Sequence, residues 1–405
     1  MTYRTRGRKS PHTAIKTTSS AIASFSKHAG ALLVNRMILK MAFGFVNVFV
    51  PVLLYQLFGI RILGVYILIS LIIIICTPIS ARLLAQVGVR KLIALSVPFA
   101  AMSVWALSFF DISPVAAAML FAILFGIHHS LYWVPYHVNF AEALGKQNRG
   151  VTLGWYEDLL ELVSIATPLI GAILIVVTGF NDTLLFVSLL CFTALLPVLF
   201  IHETYERFSW TYLETFRRLF HKKNRKLLIG YGADGAQLGV ATVLWPIFLF
   251  EVLNEKYIAV GIVTTLSLIS ILLLNILLGR YIDKYGVEKV MGVGVLLSMS
   301  GWLLKAFVGT PFEVYIVDTY HKFGDSVARL SRNVTGFSGA ADSGHYIDEY
   351  TTIAEISYQT GKILMFFVCG VLLTYFTMRS VFICAALVTL FLIVFKRHFT
   401  VYLSR

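Results

Sequence analysis

The residues that could do chemistry in this chain are charged side chains placed three and four positions apart inside apolar runs. The clearest set lies in the run at 312–331 and consists of Asp318, His321, Lys322, Asp325 and Arg329. At about 100° per residue, this spacing puts all five on one face of a helix. A charge at the centre of a bilayer costs roughly 2.5–3.5 kcal/mol, so we expect this face to turn toward a cavity or a partner.

Two interpretations of this face remain open. Asp318 and Lys322, like Asp325 and Arg329, are four residues apart and could neutralise each other as ion pairs along the helix. The set would then be structural. Asp318, His321 and Asp325 are equally candidates for a substrate or proton site, because imidazoles titrate near neutral pH and carboxylates in a low-dielectric cavity can hold a proton.

Similar polar faces recur in other apolar runs. They contain Glu355, Tyr358, Gln359 and Lys362 in one run, Glu157 and Glu161 in a second, Asp234 and Gln237 in a third, and His129, Tyr132 and Tyr136 in a fourth. The four acids, Glu355, Glu157, Glu161 and Asp234, have no basic residue in their own helix turn and are candidates for proton coupling. Lys362 and His129 are further candidates for binding the substrate or a proton. Each could instead be a packed, hydrogen-bonded membrane residue.

The elements that carry these residues are predicted from composition and hydropathy. The chain has 405 residues, 58% hydrophobic and 14% charged, and a mean hydropathy of +0.80. A soluble domain has about 25% charged residues, so this chain needs lipid to cover its surface. Runs approaching the ~20 residues that span a bilayer lie at 38–58, 63–85, 92–110, 115–138, 152–177, 182–200, 228–252, 258–280, 290–308, 312–331, 350–374 and 378–396. The expected fold class is an all-α membrane protein with twelve transmembrane helices.

A polar stretch divides these helices six and six. The predicted parts are a basic tail at 1–36, a six-helix bundle at 37–200, a linker at 201–227, a second bundle at 228–396 and a tail at 397–405. The bundles resemble each other: VPVLLYQL at 50–57 matches WPIFLFEV at 245–252, and Glu157 corresponds to Glu355. Two parallel six-helix repeats with a site between them are a known plan of membrane transporters.

The distribution of basic residues predicts the orientation. Of the 34 Lys and Arg residues, 27 fall in the two tails, the linker and the other connections on the same side, including Arg36 and Arg329. Only Arg61, Lys256 and Arg379 fall on the opposite side. Both termini are therefore expected in the cytoplasm of a plasma or inner membrane. Residues 1–36 lack Asp and Glu, which fits a basic tail and, alternatively, a mitochondrial targeting segment.

Several function classes are not expected. The net charge of +13 is scattered between apolar runs, which suits anionic lipid headgroups better than nucleic acid. All four cysteines, Cys76, Cys191, Cys369 and Cys384, lie in apolar runs, so neither a disulfide framework nor a zinc site is predicted. The sequence shows neither a phosphate-binding loop nor a Ser-His-Asp arrangement. We expect no enzyme activity, no cofactor and no metal.

One loop carries a family resemblance. Residues 279–289, GRYIDKYGVEK, resemble the signature loop of the major facilitator superfamily in Gly279, Asp283, Lys284 and Gly286. The corresponding first-half loop at 81–91, ARLLAQVGVRK, keeps its second glycine and basic end but has lost the first glycine and the acidic residue. The resemblance implies two pseudo-symmetric six-helix bundles around a central cavity, with the loop residues acting as a conformational latch. A tight basic turn is the alternative interpretation of the loop.

The resemblance also implies a function. We expect a secondary active transporter that moves a small polar or charged organic solute by alternating access, with protons as the candidate coupling ion, acting as a monomer in the lipid bilayer. A multidrug or metabolite efflux antiporter is one alternative. A transporter-fold receptor or scaffold that no longer transports is another, for which the altered first-half loop is the support, and a lipid-translocating relative is a third.

Overall fold

The computed structural model describes the backbone of residues 29–143, 149–206, 208–285, 287–342 and 347–393, and their side chains outside 141–153, 275–289 and 330–347. Every regular element of these residues is helical. Apolar residues crowd nearly every helix because lipid and the bundle interior both accept them, and each helix satisfies its own backbone hydrogen bonds, as a bilayer requires. The all-α fold class predicted from the sequence is confirmed.

The first half of the chain forms eight helical segments. They are α1 at 29–44, α2 (Phe49–Phe58), α3 (Ile62–Val87), α4 (Val89–Leu107), α5 (Pro114–Ala143), α6 (Arg149–Ser164), α7 (Thr167–Thr193) and α8 (Leu195–Val198). Because α1 is already helical at residue 29, Arg36 stands on the first membrane helix rather than in the tail with which the sequence grouped it.

The second half follows the same plan. Its helices are α9 (Tyr212–Leu219), α10 (Arg225–Gly239), α11 (Trp245–Val252), α12 (Tyr257–Tyr285), α13 (Val287–Lys305), α14 (Pro311–Asp342), α15 (Ile347–Tyr375) and α16 (Met378–Thr389). A π-helical turn at Val240–Leu244 joins α10 to α11. It immediately precedes the Trp245–Pro246 start of α11, where the proline lacks an N–H for a regular helical hydrogen bond.

The long α7 is two helices joined at a glycine. Gly179 has φ 87° and ψ 169° inside the helical run. Glycine adopts positive φ without the steric cost that a Cβ brings. The chain therefore turns here, at the Gly179–Asp182 connection that the sequence predicts between two membrane spans.

Length and apolarity identify the described helices that could cross a membrane. Seven stretches are long and apolar enough to cross a membrane. Two of them, Phe49–Val87 and Gly154–Val198, have 39 and 45 residues. At about 1.5 Å per residue, Gly154–Val198 is long enough for two crossings of a ~30 Å hydrocarbon layer and is broken at Gly179. In Phe49–Val87, the break at Gly59–Arg61 separates the ten-residue α2 from α3, which is long enough for one crossing. Val290–Lys305 and Met378–Leu392 are shorter apolar helices, and the charged α14 has 32 residues.

Helices pack closely within and between the two halves. The halves meet where α3 packs on α15 and α7 packs on α12, and within the second half α10 packs along α15. Small residues allow the closest approaches, because a Cβ at Gly171, Gly235 or Gly361 would overlap the backbone of the neighbouring helix. Small residues at such contacts are typical of membrane helix pairs, where dispersion replaces the hydrophobic effect as the attraction.

The linker between the halves is bound to both of them. On the first half, Glu203 Oε1 accepts a hydrogen bond from the backbone N–H of Arg90 at 3.0 Å, beside the turn at Gly88. On the second half, Ser209 donates through its N–H and its hydroxyl to Glu349 of α15, at 3.1 and 2.6 Å. Glu203 thus supplies, from the linker, a carboxylate at the start of α4, next to the loop that lacks an acidic residue of its own.

Candidate functional site

A histidine–glutamate pair joins the two halves in the interior. Nε2 of His129, on α5, lies 2.8 Å from Oε1 of Glu355, on α15. Gln359, one turn further along α15, donates to the same carboxylate oxygen at 2.7 Å. His129 and Glu355 are candidates that the sequence places on separate helix faces. The structure brings them into direct contact across the boundary between the halves.

An arginine forms a second connection between the halves. Nη1 of Arg329, on α14, lies 3.5 Å from Oε2 of Glu157 on α6. Its Nε lies 3.9 Å from Asp325, one turn back on α14, which is the ion pair that the sequence spacing predicts. Arg329 is on the predicted charged face but was not among the candidate site residues, because spacing along one helix does not reveal its partner on α6.

Two further acids border this connection. Glu161, one turn beyond Glu157 on α6, forms an ion pair of 2.9 Å with Lys40 of α1. On the other half, the amide nitrogen of Gln237 donates to Asp234 at 3.1 Å and to Asp325 at 3.3 Å. Asp234, Glu161, Glu157 and Asp325 therefore all belong to connected polar contacts that involve α1, α6, α10 and α14.

These charged groups retain partial access to solvent although they lie well inside long helices. The side chains of Lys40 and Glu161 are 25% and 19% exposed, and those of Arg329 and Glu157 are 46% and 31% exposed. Arg329 and Glu157 belong to opposite halves and contact each other, so both lie where the two halves meet. A charged side chain facing lipid would be costly, whereas a water-accessible cavity accommodates it.

A separate ion-pair cluster is buried inside the second half. Asp318 contacts Lys305 of α13 at 3.0 Å and Lys322 at 2.7 Å, and the side chains of Lys305 and Asp318 are both 1% exposed. The Lys305 ammonium also lies 3.8 Å from the ring centroid of Trp245 and 4.8 Å from that of Trp302. The Asp318–Lys322 pair follows the predicted spacing. Lys305 was missed because it comes from a neighbouring helix.

His321 belongs to this buried cluster rather than to the space between the halves. Its ring packs edge-on against Trp302 with centroids 4.4 Å apart, and its Nε2 lies 3.5 Å from the hydroxyl of Ser298. The charged face of α14 is thus divided: Asp318 and His321 pack within the second half, while Arg329 contacts the other half and Asp325 contacts Arg329. The observed contacts of Asp318 and His321 agree with the structural interpretation of their part of the face.

Two basic residues lie against aromatic rings near the connection between the halves. The guanidinium of Arg36 lies 4.4 Å from the ring centroid of Trp133 on α5, one turn from His129. Lys362 lies 4.9 Å from the ring centroid of Tyr358, rather than against Glu355, which the sequence put within its reach. The sequence missed Arg36 because a single charge near the end of an apolar run resembles a flanking tail residue.

Part of the predicted latch lies outside the described residues. Gly279, Asp283 and Lys284 stand on the described backbone of α12, but their side chains are not described, and Gly286 lies outside the described residues altogether. In the part of the chain that the structure describes, no group of three His, Cys, Asp or Glu side chains could hold a metal ion.

Comparison with characterised proteins gives one sequence relative. No family model matches the chain. A multi-drug resistance efflux pump PmrA homolog of Lactococcus lactis subsp. lactis is 23% identical over 197 residues. The matched region is 46% of this chain and covers 49% of that protein, so the chain matches about half the length of this relative.

Comparison of structures gives matches over nearly the whole chain. The nucleoside transporter NupG aligns with a TM-score of 0.61 at 16% identity, over 91% of this chain and 98% of that chain. The E. coli fucose:proton symporter FucP aligns with a TM-score of 0.64 at 14% identity, over 92% and 99%. The human organic anion transporter MFSD10 aligns with a TM-score of 0.70 at 13% identity, over 92% and 99%. These alignments show that the chain has the major facilitator fold, which is the fold that the resemblance of the loop at 279–289 implies.

Proposed function

We propose that this chain is a secondary active transporter that moves a small polar or charged organic solute by alternating access, with protons as the coupling ion. The observation that carries the proposal is the pair of contacts between the halves, His129–Glu355 and Arg329–Glu157. Each pair joins helices of opposite halves, and all four side chains are partly exposed. Structural stability alone does not require ionisable groups at this position, where each is costly to insert.

Alternating access gives these contacts a role. When one half rocks against the other, a contact that joins the halves must lengthen or break. A carboxylate or imidazole released in an interior of low dielectric needs a new partner, and a proton or a charged group of the solute can be that partner. The contacts therefore couple the binding of a proton or solute to the side of the membrane on which the interior is open.

Glu355 is the proposed proton-coupling group. Its carboxylate has a titratable partner from the opposite half, His129, and a hydrogen-bond donor on its own helix, Gln359. Separation of the halves removes the first and leaves the second. The acid is then free to take a proton while it is exposed to one side of the membrane.

The named activities of the structural neighbours agree with a polar solute. They are described as carriers of nucleosides, of fucose together with protons, and of organic anions. The interior of the present chain offers Arg36, Lys40 and Lys362 as well as several acids. Both signs of charge suit a polar or zwitterionic solute better than a purely apolar one.

Uptake into proteoliposomes tests the proposal. The purified chain is reconstituted, an inward proton gradient is imposed, and nucleosides, fucose and small carboxylates are screened for accumulation that a protonophore abolishes. Glu355→Gln is expected to lower gradient-driven accumulation at least about tenfold, within the roughly 5–150-fold range of coupled-site energies. Glu255→Gln, at the exposed turn between α11 and α12, is the matched control and should transport normally.

The proposal is wrong if none of these solutes moves in either direction with or without a gradient, which is also what a receptor or scaffold would show. If neither the protonophore nor Glu355→Gln changes transport, the chain is a carrier but is not coupled to protons.

Efflux is the second candidate function, because the sequence relative is described as a multi-drug resistance efflux pump homolog. In an efflux antiporter, protons enter as the solute leaves. Vesicles loaded with a lipophilic cationic dye distinguish the two: an external acid pulse should drive dye out of an antiporter and should leave the dye content of a symporter for polar solutes unchanged.

A further inference from the structure

A groove on the linker has a composition and position that neither the fold nor the proposed transport explains. It has a volume of about 990 Å³, and its polar lining comes from Glu214, Arg217, Arg218, His221 and Lys223 of α9 and the residues after it. Glu214 is the one acidic lining residue and is already engaged by Arg218 through a bond of 2.6 Å. The hydrogen bond from Arg218 is the main cause that holds the pKa of the Glu214 carboxyl below its ordinary value.

The charge of the groove is therefore basic and largely uncompensated. Arg217 and Lys223 are exposed lining residues, and Lys222, Arg225 and Lys226 follow directly along the chain. Neither residues 1–28 nor residues 394–405 contain an Asp or a Glu. An anionic ligand would complement this charge.

The position of α9 places the groove beside lipid. The hydroxyl of Tyr212 donates to the backbone carbonyl of Ile75 on α3 at 3.3 Å. The side chain of Ile75 belongs to an exposed apolar stripe with Leu71 and Ile79, four residues apart on the outer face of this membrane helix. Ser209, three residues before α9 begins, is bound to Glu349 at the start of α15. The segment therefore runs from the linker end of α15 onto the outer face of α3.

The exposed face of α9 has the pattern of a helix that lies in the membrane interface. Leu213 and Phe220 are 78% and 73% exposed, and their separation of seven residues puts them on the same face, with Arg217 between them. The opposite face, with Thr215 and Leu219, is buried against the bundle. Helices with this pattern bind membranes in two ways at once. Their exposed apolar residues insert among the acyl chains, and the flanking basic residues contact the lipid phosphates.

We propose that this groove binds the phosphate headgroup of an anionic phospholipid, with Arg217 and Lys223 as its ligands and Leu213 and Phe220 packed against the acyl chains. The site lies on the segment whose Glu203 and Ser209 hold the two halves. Lipid bound there anchors this segment at the membrane surface. The proposal concerns lipid binding and holds whether or not the chain transports.

Binding of phosphatidylglycerol and phosphatidylcholine to the full chain in detergent micelles, followed by native mass spectrometry, tests this assignment. Phosphatidylglycerol should bind more tightly. Arg217→Gln combined with Lys223→Gln should weaken its binding about 30-fold, from roughly 1 kcal/mol per basic residue near a lipid surface. Lys256→Gln combined with Arg379→Gln removes the same charge from exposed connections at the opposite end of the helices and should leave binding unchanged.

A second arm separates lipid from other phosphates. Leu213→Ser with Phe220→Ser keeps the charge of the groove and should weaken phosphatidylglycerol binding, whereas soluble glycerol phosphate should compete poorly. The assignment is overturned if the two lipids bind equally, if the control pair weakens binding as much as the groove pair, or if glycerol phosphate competes at the concentration of the lipid.

Discussion

At the scale of single residues, the interior charges divide into two kinds of environment. Asp318 and Lys305 are almost completely buried and satisfied within one half, whereas Glu157 and Arg329 are partly open and join the two halves. The same α14 face supplies both. Its period of three and four residues was readable from the sequence, but the partners on other helices were not, because they depend on how helices distant in sequence pack.

The buried cluster should respond to mutation as a unit. Asp318→Asn leaves the ammonium of Lys305 buried without a carboxylate, which typically costs about 3–5 kcal/mol. Adding Lys305→Met removes that stranded charge and puts a flexible apolar side chain against Trp245 and Trp302, so the double variant should recover much of the loss. The melting temperature of the purified protein in detergent measures both.

The reference for this comparison is Glu214→Gln, which breaks an ion pair that is open to solvent and should leave the melting temperature unchanged. A double variant that melts as low as Asp318→Asn would show that the carboxylate has a role other than compensating Lys305.

At the scale of helices, glycines decide how closely neighbours approach. On α10, a Cβ at Gly235 would overlap the carbonyl of Tyr358 on α15, whereas one at Gly232 would meet its nearest atom, the carbonyl of Ser357, at 3.6 Å. Sequence alone gave both as glycines in an apolar run. Both lie against α15, since a Cβ at Gly361 would overlap the carbonyl of Gly232. Which of the two has room for a methyl group became clear only from the packing of α10 along α15.

Alanine at these two positions should have opposite effects. Gly235→Ala must push α10 and α15 apart and is expected to lower stability by about 1–3 kcal/mol, as overpacking does. Gly232→Ala has space and should be neutral or stabilising by up to about 1 kcal/mol through helix propensity. Thermal unfolding of the two variants side by side measures the difference, and equal melting temperatures would contradict the close contact at Gly235.

A contact with the linker stabilises the N-terminus of α4. Glu203→Ala removes the acceptor of the Arg90 N–H and a negative charge at a helix N-terminus, which together stabilise by about 1 kcal/mol. Hydrogen–deuterium exchange of the peptide that contains Arg90 should become faster. Glu206→Ala, three residues further along the linker, is the control, and equal protection in both variants would argue against the capping contact.

At the scale of the whole molecule, the ends of the two halves meet on the side opposite the linker. Tyr257 of α12 donates to Gln56 of α2 at 3.0 Å, and its ring lies against Phe49 and Phe180 of the first half. The sequence predicted the halves from their repeat and the linker from its polarity, and the structural comparisons confirm the fold. The sequence could not predict which ends of the halves are in contact, because the same repeat is compatible with a carrier that is open to either side of the membrane.

Crosslinking this contact should stop the proposed transport cycle. With the four native cysteines replaced by serine or alanine, Gln56→Cys combined with Tyr257→Cys and a short thiol-cleavable bifunctional reagent ties α2 to α12. Uptake in proteoliposomes should fall to background and return when the crosslink is reduced. The single-cysteine variants treated in the same way should keep their uptake, and undiminished transport by the crosslinked protein would show that this side need not open.

The contact between His129 and Glu355 also constrains how the gene can change. The two residues are 226 positions apart, and the loss of either leaves the other in the interior without its partner. Substitutions there should accumulate in pairs: a descendant that replaces the histidine by a neutral amide is expected to replace the glutamate as well. In an alignment of related sequences, the residues at positions 129 and 355 should therefore covary.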